Sequence, residues 1–169
     1  PSISLGHTRV SIIDLTSAGH QPMPNEDRTI WVVLNGENYN YQELRSELEK
    51  KGHIFKSNTD TETVVHLYEE YQNDCVRYLR GMFAFAVWDE KKQHLLLARD
   101  RLGKKPLLYA YKAGRLIFAS EFRSILASGF LSKDIQYQAL HDYLSLGYIP
   151  APMTVYKDVF KLLPAHILL

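Results

Sequence analysis

Asn35, Gly36 and Glu37 put a side-chain amide, an unshielded backbone N–H and a carboxylate in three consecutive positions. An amide donor and a glycine N–H that converge at a strand end can hold the oxyanion that develops during acyl transfer. Asn-Gly is also a common turn dipeptide in its own right, so these residues alone admit both an oxyanion hole and an ordinary turn. Glu62 and His66 lie four apart, which puts both on one helix face and is a spacing some metal sites use. No third ligand has matching spacing, so the sequence predicts no metal and expects this pair to be exposed or bonded to each other. Arg99-Asp100-Arg101 has the charge for a phosphate patch, but in a chain of net charge +1 a structural turn with internal ion pairs is the expected reading. Cys75 is the sole thiol. Its place in a helical segment with Val76 and Leu79 marks a buried structural cysteine rather than a nucleophile.

These groups need elements to hold them. Ile30-Trp31-Val32-Val33-Leu34 is a continuous apolar, β-branched run and reads as a buried strand. Residues 41–51, with Leu44 and Leu48 four apart, read as a helix, and Asn40 and Glu43 have capping-box spacing. Asn35, Gly36 and Glu37 are therefore expected on a sharp strand-to-helix turn. Thr59 and Glu62 repeat the capping-box spacing ahead of an apolar stripe of Val64, Val65, Tyr68 and Tyr71. The period then shortens: 82–88 and 94–99 read as a hairpin, with Phe83, Phe85, Val87 and Leu95 in the core. Residues 107–111 and 116–119 read as a second hairpin around Ala113-Gly114. Short extended runs are expected at Ile3-Ser4-Leu5, at 10–13 and at 53–56, a surface loop over 16–28, and short helices over 120–127 and 136–145. Pro150, Pro152 and Pro164 make the stretch after Gly147 a linker or arm. Blocks of strands separate from blocks of helices indicate an α+β architecture with antiparallel pairing.

The 169 residues suffice for one domain with a sizeable core. The near-zero net charge gives no field for nucleic acid or an anionic membrane. No apolar run approaches the roughly 20 residues of a membrane span, and no signal peptide is read. A single cysteine excludes an internal disulfide and fits a reducing compartment. The chain opens on Pro1 and a strand-like run, as a piece entered midway would.

An ordered set of motifs resembles one family. Leu5-Gly6-His7-Thr8-Arg9-Val10-Ser11-Ile12-Ile13-Asp14-Leu15 comes first, then Gly19-His20-Gln21-Pro22-Met23 with Asn25-Glu26, and the Asn35-Gly36-Glu37 stretch. Ser57-Asn58-Thr59-Asp60-Thr61-Glu62, Leu79-Arg80-Gly81-Met82-Phe83-Ala84-Phe85-Ala86, Ala98-Arg99-Asp100-Arg101-Leu102-Gly103 and Phe118-Ala119-Ser120-Glu121 follow. Their order and spacing resemble class II glutamine amidotransferases, in particular the glutamine-hydrolysing asparagine synthetases. Leu146-Gly147-Tyr148-Ile149-Pro150-Ala151-Pro152 with Lys161-Leu162 looks like the connection toward a synthetase domain.

The resemblance implies an N-terminal-nucleophile hydrolase fold, an αββα sandwich of two antiparallel sheets, incomplete at the N-terminus. It implies an amidotransferase domain over 1–130, truncated at its start, and a helix and linker over 131–169 leading toward an absent synthetase domain. It implies that Arg9 pairs with the α-carboxylate of glutamine, with the backbone around Val10 and Ile12 lining the same pocket. Asn35 and Gly36 would form the oxyanion hole, and Glu37 and Asp60 would accept the α-ammonium. Arg9 and Asp60 are then expected apart, so that a free amino acid fits between opposite charges. The family's nucleophile is a cysteine at the first residue of the mature chain, which this sequence does not show, so the chain alone is expected to be inactive. The implied parent reaction hydrolyses glutamine to glutamate and ammonia for ATP-dependent amidation of aspartate to asparagine. ATP and magnesium would belong to the synthetase domain, and no cofactor to this chain. The implied partners are glutamine and the synthetase domain of the same parent, with a homodimer left open, no nucleic acid and no membrane, in the cytoplasm. A non-catalytic scaffold or binding domain, or an amidotransferase with a different acceptor, are the alternatives. Asn38 and Lys104 stand where the family usually has an apolar residue, and a buried Asn38 would need a new hydrogen-bond partner.

Overall fold

The computed structural model describes residues 2–9 and 13–169. In chain order the elements are β1 (Met23–Pro24), β2 (Ile30–Asn38), α1 (Tyr41–Lys50), α2 (Asp60–Tyr71), β3 (Gly81–Asp89) and β4 (His94–Arg99). They continue with β5 (Leu108–Lys112), β6 (Arg115–Ala119), α3 (Phe122–Ala127), α4 (Tyr137–Leu146), β7 (Phe160–Lys161) and β8 (Ile167–Leu168). Two compact units divide them, 1–98 with 167–169, and 99–166.

The first unit carries a five-stranded sheet in the order β1-β2-β3-β4-β8. Alternation along β2 turns Ile30, Val32 and Leu34 to one face, where they pack with Phe83, Phe85 and Val87 of β3. Leu44 and Leu48 of α1 and Val64, Val65, Leu67 and Tyr68 of α2 complete this core. Burying each of these side chains contributes about 1.5–3 kcal/mol, well above the few tenths that separate their helix propensities. On β4 the residue in this core is Leu96, with Ala98, rather than Leu95. Cys75 is fully buried in a 3-10 segment, Gln72–Arg77, and joins the same core, as its apolar neighbours predict.

The second unit holds a three-stranded sheet, β6-β5-β7, over a small core of Leu108, Ala110, Ile125, Leu131 and Val159. The β5–β6 hairpin turns at Ala113-Gly114, as expected. The stretch after Gly147, expected as a linker, instead supplies β7 to this sheet and β8 to the larger one. Arg99 and Asp100 do form a structural turn. It is held by bonds to backbone: Arg99 donates to the carbonyls of Gly103, Lys105 and Leu162, and Asp100 accepts from the N–H groups of Leu102, Lys104 and Lys105.

Local expectations fail where side chains capture the backbone. Ile3-Ser4-Leu5 is no strand and has no pairing partner among the described residues, and residues 10–12 lie outside them. Residues 53–56 form no strand because carboxylates take their donors: Ile54 N–H donates to Glu26 Oε1 and Lys56 N–H to Glu62 Oε1. The loop over 16–28 contains β1, which pairs with β2. Asn40 caps α1 by position only. Its side chain bridges away to Arg80 N–H and Tyr78 O, so the expected capping box does not form. Thr59 does cap α2, accepting from Glu62 N–H.

Candidate functional site

The Asn-Gly pair is not on a turn. β2 runs through Asn35, Gly36 and Glu37 to Asn38, paired with β3 in a register from Ile30↔Asp89 to Asn38↔Gly81. Gly36 is the residue that permits this. Its φ is 147°, and a Cβ there would come within 2.7 Å of Phe83 Cα, so only glycine lets β3 approach so closely.

The ends of the β2–β3 ladder fix which way each backbone group points. Thr29 O accepts from Glu90 N–H, and Tyr39 N–H donates to Arg80 O. Odd-numbered residues therefore bond to β3, and alternation turns the N–H and C=O groups of Leu34, Gly36 and Asn38 to the opposite edge. β1 covers that edge only at Trp31 and Val32. Further along, two side chains take the place of a strand. Leu34 N–H donates to Gln21 Oε1 at 2.6 Å, and Gln21 Nε2 donates back to Leu34 O at 3.2 Å. Asn38 N–H donates to Asp60 Oδ2 at 2.8 Å. Gly36 N–H lies between these two caps on the same edge.

Asp60 is the first residue of α2 and is 6% exposed. Burial raises its carboxyl above the ordinary range, the N–H groups of Asn38, Asp60 and Thr61 oppose this, and the Glu37 charge adds to it. Two carboxylates thus share one locality. Such a pair favours an incoming ammonium.

Arg9 is half-buried, and its Nη2 donates to the carbonyls of Ile13 and Asp14, each at 2.6 Å. Its guanidinium lies against the Cα of Gly19, where a Cβ would come within 2.6 Å of Cζ. Asp14 in turn accepts from Thr16 and, at 2.8 Å, from Asn58 N–H. The Asn58 bond is the largest cause holding the Asp14 carboxyl down at about 2. These bonds tie Arg9 to the chain two residues before Asp60, while no ion pair joins Arg9 to Asp60 among the described residues. The structure therefore brings Arg9, Asn35, Gly36, Glu37 and Asp60 to one region, at the second half of β2 and the start of α2. Val10 and Ile12 lie outside the described residues.

Two residues not singled out as site residues join them. Gln21 spans Leu34 and, at 3.3 Å, the hydroxyl of Thr61. His7 adjoins Leu34 and Arg9, and burial chiefly lowers its pKa, with the Arg9 charge helping. Both stand inside the resemblance motifs, but neither has a spacing that marks a role. Asn38, by contrast, is 2% exposed with both side-chain polar atoms unpartnered, so the new partner that burial calls for is not supplied. Of the two expectations for Glu62 and His66, exposure fails, since both are buried, and pairing holds, at 3.9 Å. Cys75 is no nucleophile: burial pushes its thiol up to about 12.

The fold is that of N-terminal-nucleophile hydrolase amidotransferases. Among solved structures it is similar to glutamine phosphoribosylpyrophosphate amidotransferase from B. subtilis, with TM-score 0.61 and 24% identity over 73% of this chain and 28% of that one. The family model described as glutamine amidotransferase domain matches residues 1–169, and the chain belongs to that family. Asparagine synthetase [glutamine-hydrolyzing] 3 of Bacillus subtilis is 40% identical over 98% of this chain and 27% of its own length. Amidase chyE of Penicillium rubens is 39% identical over 99% of this chain and 24% of its own. The chain thus spans about a quarter of the length of these curated relatives. No helix among the described residues is long and apolar enough to cross a membrane.

Proposed function

We propose that this chain is the glutamine-binding part of a glutamine-hydrolysing asparagine synthetase. The Gly36 N–H, turned to the β2 edge between the Gln21 and Asp60 caps, carries the reading. The Arg9 guanidinium binds the α-carboxylate of glutamine, and Glu37 and Asp60 take the α-ammonium. The side-chain carbonyl then points at Gly36 N–H and the Asn35 amide. A thiolate attacks this carbonyl carbon, and the oxygen becomes an oxyanion that these two donors hold. Collapse of the intermediate breaks the C–N bond and releases ammonia, leaving a thioester that water hydrolyses to glutamate. Cys75 does not supply the thiolate, so these 169 residues bind glutamine without cleaving it. In the parent protein, the ammonia amidates an ATP-activated aspartate, with ATP and magnesium on a synthetase domain, in the cytoplasm.

The similarity to an amidase favours a second reading, in which the same glutamine site serves a different acceptor. One experiment tests the glutamine site under either reading. In the full-length parent, Asn35→Ala should lower the kcat of glutamine-dependent turnover about 100-fold or more, and leave ammonia-dependent turnover unchanged. Equal loss of both activities would overturn the assignment.

A further inference from the structure

Away from the glutamine site, four residues bring two imidazoles and two carboxylates together. Glu26 lies between β1 and β2, His53 between α1 and α2, and His66 and Glu69 sit one turn apart on α2. One donor atom from each falls within 4.8 Å of all the others. His66 Nδ1 is 2.8 Å from Glu69 Oε2 and 3.5 Å from Glu26 Oε2. His53 Nδ1 is 3.5 Å from Glu26 Oε1 and 3.5 Å from Glu69 Oε2. With either Glu26 oxygen as the ligand, two of the separations are 3.5 Å, close to the edges of about 3.3–3.4 Å of a tetrahedral site with N and O ligands at about 2.0–2.1 Å.

Three of the four ligands are also steadied from outside, as metal ligands commonly are. Ile54 N–H donates to Glu26 Oε1, and Asn25 Nδ2 to Glu69 Oε1. The far nitrogen of His53 meets Glu70 Oε1 at 3.2 Å. The far nitrogen of His66, in a residue 1% exposed, has no hydrogen-bond partner and faces Glu62 Oε1 at 3.9 Å. Two carboxylates and two neutral imidazoles carry the charge that one divalent cation neutralises.

We propose that Glu26, His53, His66 and Glu69 form a structural site for a zinc-like divalent cation. Mixed imidazole and carboxylate donors suit zinc and its transition-metal neighbours better than magnesium or calcium. Four protein ligands close the coordination sphere, which marks a structural rather than a catalytic centre. The ion clips the segment before β2 and the segment after α1 to α2, whose first residue is Asp60. This site goes beyond the glutamine reading and stands without it.

The test is metal retention by the purified protein. After exposure to zinc and dialysis, elemental analysis should find about one zinc per chain, and zinc should raise the melting temperature until a chelator reverses it. Cobalt(II) should give the visible bands of a four-coordinate site. Glu26→Gln and His53→Gln, both outside the core, should each lose the zinc and the thermal shift while keeping the wild-type circular dichroism. Magnesium should not displace zinc. A wild-type protein that retains no zinc, or variants that retain as much as wild type, would overturn the proposal.

Discussion

Asp60 Oδ2 accepts the backbone N–H of Asn38 at 2.8 Å, joining the first residue of α2 to the last residue of β2. That bond holds the carboxylate at the site and keeps it out of water. A group whose folded pKa is raised contributes stability at low pH that is lost as pH rises through the folded value. Asp60→Asn is neutral throughout and should gain stability relative to wild type as pH climbs from 3.8 toward neutrality. The same variant should bind glutamine about tenfold more weakly, through loss of a charge-assisted hydrogen bond. Thermal melts across this pH range, with calorimetric titration of glutamine, check both signs. An Asn variant that gains nothing relative to wild type as pH rises would contradict the cause assigned to the shift.

Asn38 buries an amide with no partner for either polar atom. Asn38→Leu keeps the approximate volume and the backbone bond to Asp60. It should stabilise the fold by about 1–3 kcal/mol, the desolvation cost of an unsatisfied buried group. Denaturant unfolding at fixed pH measures it, and a neutral or destabilising result would mean that the amide has a partner in solution.

Arg9→Ala in the parent protein should raise the KM for glutamine about 10- to 100-fold, the range for losing a hydrogen bond to a charged group. Its kcat at saturating glutamine, and synthesis from ammonia, should stay near wild type, since Arg9 holds an end of the substrate that does not react. A fall in kcat with KM unchanged would place Arg9 at the reacting carbonyl instead.

Cys75 should resist thiol reagents in the native state and react fully once unfolded, because its pKa of about 12 leaves almost no thiolate at neutral pH. The 169-residue chain alone should release no ammonia from glutamine. Ammonia release abolished by Cys75→Ala would reverse the assignment.

What the sequence made legible were the elements with strong local signals. The apolar run at Ile30, the Thr59 cap and the Ala113-Gly114 turn all stand where pattern and turn chemistry put them. The Asn35-Gly36 turn failed because pairing to β3 outweighs a dipeptide's local preference, and Gly36 serves the close approach of strands rather than a reversal. Asp60 was placed correctly at the start of α2, but its bond across to Asn38 joins residues with no spacing relation in sequence. The Glu26, His53, His66 and Glu69 cluster was invisible for the same reason: helix spacing offers His66 a partner in Glu62, while three segments fold its real neighbours onto it. The strands after Gly147 escaped notice because two-residue pairings leave no periodicity to read.

The caps at Leu34 and Asn38 have a consequence for the chain's behaviour among other chains. An uncovered strand edge is a template on which a foreign strand can zip, and such edges invite aggregation. Here the Gln21 amide and the Asp60 carboxylate occupy the rungs on either side of Gly36. An extended polypeptide laid along this edge would need both rungs and would find neither. The Gly36 rung between them has room for a small molecule only, so the same two side chains that frame the site also bar this edge to a peptide strand.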